Sequence, residues 1–192
     1  MKLVGLLLAA GSASRFGSDK LLHRLVHGVP IVVQSVRHLK SAAPRIVAVV
    51  KPGADDARAV LEAEGCEVVT CENAAEGMGA SLACAARAAG AADGYLVALG
   101  DMPFIRPSSI EAVREALRGG APLAAPYFHG RRGHPVGIAG SFRGELEACA
   151  GDAGARALLE SRAAELVKIP VGDPGVIRDI DQPSDLAPPV LE

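Results

Sequence analysis

Aromatic side chains are scarce in this sequence, 3% of residues against 49% hydrophobic overall, which excludes a core packed around large rings. The interior has to be built from Ala, Val, Leu and Ile, a composition that suits buried parallel strands with Ala-rich helices close against them. An excess of one charge is missing too: 20 Lys and Arg against 22 Asp and Glu leave a net charge of −2. This near-neutral balance argues against a nucleic-acid partner or a polybasic membrane partner, so any anion site must be local. No hydrophobic run reaches transmembrane length, and the apolar start passes directly into a glycine loop with no cleavage pattern behind it. A soluble, cytoplasmic protein is expected. The four cysteines, Cys66, Cys71, Cys84 and Cys149, form no C-x-x-C pair and have no His-rich neighbourhood, which removes the zinc reading and leaves buried free thiols.

What is present begins with Leu3–Leu8, a strand-length apolar run that stops at Leu8-Ala9-Ala10-Gly11. Small residues, Gly17, Arg15 and Lys20 follow within one loop length. Glycines let backbone amides approach a ligand closely, and with two cations they suit a row of phosphate oxygens. The glycines are not spaced as G-x-G-x-x-G and no G-K-S/T follows, so neither a dinucleotide fingerprint nor a P-loop is present.

The chain then alternates in type: a helix from Pro30 to about Lys40, a strand Arg45–Val50, a helix Ala54–Glu64, a strand Glu67–Cys71. This is the start of a doubly wound sheet. A second glycine loop, with Gly77 and Gly79, opens an Ala-rich helix to about Gly90; there Ser81 suits either a ligand contact or a helix cap. Tyr95–Leu99 is a strand that delivers Gly100-Asp101-Met102-Pro103. A carboxylate at the carboxyl end of a buried parallel strand is well placed to hold Mg²⁺, whereas Asp101 stands several residues too early to cap the helix starting at Pro107.

The apolar pieces around Phe128–Pro135 read as a hairpin that adds antiparallel strands near 122–138, with Arg131 and Arg132 at its turn. His134, between strand pieces and before Pro135, is more often structural than catalytic. A short helix over Phe142–Cys149, a helix with Asp152 as its N-cap and a strand Glu165–Val171 follow. The chain closes on Asp179, Asp181 and Asp185, one of which can face Asp101 to complete a magnesium site. The whole, 1–192, is expected to be a single α/β domain, Rossmann-like and doubly wound, with a mixed and mainly parallel sheet and no linker or repeat.

These blocks together resemble the nucleotidyltransferases of the molybdenum cofactor, and among them the cytidylyltransferase branch. Leu8 to Lys20 is similar to the family opening L-A-A-G-x-S-x-R-M-G-x-x-K, with Ala13 for Ser and Phe16 for Met. Gly77-Met78-x-x-Ser81-Leu82, Gly100-Asp101-Met102-Pro103, Gly133-His134-Pro135-Val136, Gly151-Asp152-x-Gly154-Ala155-Arg156 and Asp179-Ile180-Asp181-x-Pro183-x-Asp185-Leu186 follow in the family's order. The resemblance implies a nucleotide lying across the two glycine loops. Leu8, Ala9, Ala10 and Gly11 would lie beside base and ribose, Arg15 and Lys20 on the phosphates, and Gly77 and Ser81 at the base. Asp101 and Asp181 would hold Mg²⁺, and His134 would lie near the pterin substrate.

The expected reaction is CMP transfer from CTP to the phosphate of a molybdopterin-type cofactor, with Arg15, Lys20 and Asp101 as the catalytic residues and a molybdenum hydroxylase as a candidate recipient. An attacking phosphate is already anionic, so no strong general base is needed. One alternative is a GTP-dependent guanylyltransferase of the same superfamily, since Ser18-Asp19-Lys20 is similar to the G-x-D-K of that branch. The other is a non-catalytic accessory protein for hydroxylase maturation, which fits poorly with the presence of Arg15, Lys20, Asp101 and Asp181. An NAD-dependent oxidoreductase is weak without G-x-G-x-x-G.

Overall fold

The computed structural model describes residues 1–11 and 20–186. Its centre is β1 (Leu3–Leu8), in which all six residues are buried, as a strand covered on both faces requires. It pairs in parallel with β2 (Arg45–Val50) on one edge and β4 (Gly94–Leu99) on the other. β3 (Glu67–Thr70) extends the parallel half beyond β2. The other half is mixed: β7 (Val136–Ala139) runs antiparallel to β4 and to β5 (Leu123–Phe128). The two-residue β6 (Arg131–Arg132) turns back on β5, and β8 (Leu166–Pro170) pairs with β5 in parallel. The sheet order is β3-β2-β1-β4-β7-β5-β6, with β8 off this path.

Helices cover both faces. α1 (Ile31–Lys40), α2 (Asp55–Ala63) and α4 (Pro107–Arg118) bury Val32, Val36, Leu61 and Val113 against one. α3 (Met78–Ala89), α5 (Arg143–Glu147) and α6 (Arg156–Ser161) bury Leu82, Leu146 and Leu159 against the other. Small residues set the spacing, as the sparse aromatics required. A Cβ on Gly5 would lie 2.9 Å from Leu39 Cδ2, so α1 sits directly on β1. Among the described residues the one fully buried large ring is Tyr95, its hydroxyl satisfied by donation to the Gly90 carbonyl at 2.6 Å.

The doubly wound start and the antiparallel addition are as expected from the sequence. Asp152 is a correction: it lies in a 3₁₀ turn, Gly151–Ala153, while α6 begins at Arg156 with Ala155 before it. Gly154, at φ +53°, turns the chain between the two and breaks the helix that the pattern suggested. The cysteines are free, but only Cys66 and Cys71 are buried; Cys84 and Cys149 are partly exposed, a second correction. Among the described residues no helix is long and apolar enough to cross a membrane.

Candidate active site

Parallel strands aim their carboxyl ends at one edge of the sheet, and ligands of open α/β sheets collect there. At this edge the backbone leaving β1 is pinned on both sides: Ala9 N–H donates to the Val49 carbonyl and Gly100 N–H to that of Leu8, both at 2.9 Å. Leu8 and Ala9 are buried, Ala10 is half-buried and Gly11 is exposed. Arg15 lies outside the described residues. Lys20 opens a 3₁₀ turn, Lys20–Leu22, anchored by the buried Leu21.

β4 delivers Asp101 beside that lysine. Lys20 Nζ donates to Asp101 Oδ2 at 2.8 Å and lies 3.5 Å from Asp181 Oδ1. Burial pulls the Lys20 ammonium down, but the hydrogen bond and charge of Asp101, joined by Asp181, outweigh it and hold its pKa above the ordinary value. Lys20 stays charged at any physiological pH. Two carboxylates thus converge on a single point already held by a cation, and hard oxygen donors of this kind suit a divalent ion that completes its shell with phosphate and water. No group of three or more His, Cys, Asp or Glu with metal-holding geometry occurs among the described residues.

Asp181 arrives on a strap that runs from Asp173 across this edge. Asp173, nearly fully buried, accepts from Arg106 N–H at 2.9 Å, Ser109 Oγ at 2.7 Å and Gly175 N–H at 3.0 Å. His134 N–H then donates to the Val176 carbonyl at 2.8 Å, and Ile180 N–H to the Asp101 carbonyl at 3.0 Å. The strap is therefore stitched to the loop after β4 and to the turn before β7. Asp185 closes it by accepting the amides of Asp181 and Gln182, both at 3.0 Å, which lower its pKa. Sequence reasoning missed Asp173. Its signal was the Asp173-Pro174-Gly175 turn pattern, which names a turn and not its distant partners.

Gly77, at φ +123°, precedes α3 with no side-chain cap. Ser81 is buried within the helix, its N–H bonded to the Gly77 carbonyl, so the capping alternative for Ser81 does not hold. A Cβ on Gly77 would overlap Asp152 Oδ1 and stand 2.6 Å from the Gly151 carbonyl carbon; one on Gly79 would stand 2.5 Å from that of Ala150. Residues 150–152 therefore pack directly on the second glycine loop, which explains why that block belongs with it. His134 is largely enclosed. Burial pushes its imidazole down to about 4, with Arg132 lowering it further and the Val97 backbone and Asp179 opposing, and its Nδ1 has no hydrogen-bond partner among the described residues. A neutral imidazole near pH 7 follows. A hollow of about 320 Å³ lined by Leu25, His27, Gln34, His38 and Phe104 is separate from the two carboxylates.

The sequence profile of the MobA-like NTP transferase domain matches residues 5–166, which takes in both glycine loops, Lys20 and Asp101. The chain belongs to this family. It is 30% identical over 148 residues to a probable molybdenum cofactor guanylyltransferase from Thermococcus gammatolerans, covering 76% of this chain and 74% of that protein. It is 33% identical over 140 residues to the bifunctional protein GlmU of Brucella anthropi, where the match takes in 70% of this chain but only 30% of the relative's length. The crystal structure of Rv0371c from Mycobacterium tuberculosis H37Rv superposes with a TM-score of 0.83 at 25% identity over 96% of each chain. A manganese complex of Rv0371c superposes at 0.79, with 23% identity and the same coverage. This family member is a nucleotidyltransferase with the α/β fold of its solved relatives.

Proposed function

We propose that this nucleotidyltransferase moves CMP from CTP to the phosphate of a molybdopterin-type cofactor, releasing pyrophosphate. The observation that carries a phosphoryl chemistry is the convergence at the carboxyl edge of Lys20 with Asp101 at 2.8 Å and Asp181 at 3.5 Å, beside the pinned backbone of Leu8 and Ala9. The cytidylyl choice and the pterin acceptor are favoured by the Gly77-Met78-x-x-Ser81 and Gly133-His134-Pro135 blocks. Guanylyl transfer, named for the Thermococcus relative, is the second reading. The whole of 1–192 acts as one nucleotidyltransferase domain in the cytoplasm, and a molybdenum hydroxylase is the proposed recipient.

In this reading Leu8, Ala9, Ala10 and Gly11 line the nucleotide, Gly77 and Ser81 bound the base side, and Arg15 and Lys20 hold the phosphates. The acceptor's phosphate oxygen forms a bond to the α-phosphorus, the α–β anhydride bond breaks, and pyrophosphate leaves carrying the electron pair. No residue has to remove a proton, because the nucleophile is already an anion. The work of the chain is alignment and charge neutralisation. Asp101 and Asp181 would hold Mg²⁺, which supplies Lewis-acid stabilisation of the phosphate oxygens when bound; the Rv0371c manganese complex fits this choice of a divalent ion. His134, neutral and largely enclosed, serves as a shape and hydrogen-bond element near the pterin and not as a charged acid.

Thermal shift separates the classes: CTP with Mg²⁺ should raise Tm more than GTP with Mg²⁺, and NADH should not. A larger shift with GTP, matched by faster pyrophosphate release from GTP, transfers the assignment to the guanylyl branch.

A further inference from the structure

Lys20 is expected on the phosphates, yet here its ammonium lies on the two acids. Its side chain is 13% exposed, that of Asp101 23% and that of Asp181 58%. Among the described residues, no other cationic side chain bonds either carboxylate. A divalent ion takes hard oxygens at about 2.0–2.6 Å, so an ion shared by Asp101 and Asp181 needs the space between them that Nζ occupies. Ammonium and metal repel each other and compete for the same lone pairs. They cannot both be seated there.

We infer that Lys20 is a resident counter-ion of the Asp101–Asp181 pair, which a divalent cation displaces and the phosphates of the nucleotide then receive. This deepens the reading of the two acids as metal ligands and depends on it. The covalent geometry allows the exchange: buried Leu21 fixes the backbone of the turn, while the four-carbon lysine stem rotates freely about its bonds. Without the lysine the two acids, brought together by the strap, would repel one another across the edge. With it, they are held ready. A metal arriving alone has to break the Lys20 contacts and leave an ammonium beside itself; a metal arriving with a polyphosphate gives that ammonium new acceptors. Metal and polyphosphate therefore bind with positive coupling, and the coupling is reciprocal.

The test follows Lys20 by limited acetylation and mass spectrometry in the full chain, with exposed Lys51 as internal reference, while calorimetry follows Mn²⁺ binding. Mn²⁺ alone should raise the Lys20 modification rate about fivefold, and Mn²⁺ with pyrophosphate should return it to the free-protein rate or lower. In K20M, Mn²⁺ alone should bind about tenfold more tightly, and pyrophosphate should lose most of its ability to strengthen Mn²⁺ binding. Removing a positive charge strengthens metal binding wherever Lys20 goes, so the labelling decides. Mn²⁺ that binds wild type while Lys20 labelling stays unchanged overturns the exchange and leaves the metal site standing. Mn²⁺ affinity that is the same in wild type and D101N overturns the metal site itself.

Discussion

Asp101 and Asp181 meet at one lysine but are supported in opposite ways. Asp101 follows β4, a core strand hydrogen-bonded to β1 and β7, and its position is inherited from the sheet. Asp181 stands on an irregular strap whose place depends on a few stitches: Asp173 to Arg106 and Ser109, Val176 to His134, Ile180 to Asp101. One acid is fixed by the sheet; the other is fixed by backbone hydrogen bonds of a strap that also buries Val176 and Ile180. The two side chains differ in exposure as well, 23% for Asp101 against 58% for Asp181.

The largest effect should come from the acid fixed by the sheet. Asp101→Asn is expected to lower nucleotidyl transfer by about 100- to 1000-fold, with Tm near that of wild type; near-normal turnover would remove Asp101 from the chemistry. Asp181→Asn should lower transfer less, by about 10- to 100-fold, because the exposed strap lets water or a phosphate oxygen replace one ligand. Equal losses at both positions would erase the contrast.

Acid should act through the imidazole of His134, whose backbone amide holds the strap. Burial holds the folded imidazole at about 4 against the ordinary 6.5, so between these values the unfolded chain binds a proton that the native state does not. Stability is level above about pH 7, falls as pH drops through 6.5 and levels near 4, a loss of up to about 3 kcal/mol. Urea titrations at pH 7 and 4.5 should show it, and His134→Gln should shrink the difference; His38, also lowered by burial, keeps the remainder. Smallest is Gly175→Ala. A Cβ there would overlap the Phe104 carbonyl, and a loss of about 1–3 kcal/mol is expected, with transfer falling in parallel if the strap carries Asp181.

The same contrast governs what the sequence discloses. β1 and β4 are continuous apolar runs, so the sheet and the carboxylate after Leu99 are legible from local pattern alone. The convergence with Asp181 is not, because backbone stitches between distant segments leave no periodicity. The resemblance to a known family selected Asp181 among the three acids; physical reasoning on the residues left the choice open. Asp152 shows the reverse case. It has the spacing of an N-cap, but the turn at Gly154 and the docking of 150–152 on Gly77 and Gly79 prevail over local preference. Ser81 likewise reads as a cap, but α3 starts at Met78, just after Gly77, and buries it.

Transfer of the label from [α-³²P]CTP to a phosphorylated pterin acceptor, in the presence of Mg²⁺, tests the central claim most directly. Label should appear in the acceptor with wild-type protein, more slowly from GTP, and hardly at all with Asp101→Asn. Label that stays in the nucleotide, under conditions where CTP binding is detected, would contradict the assignment.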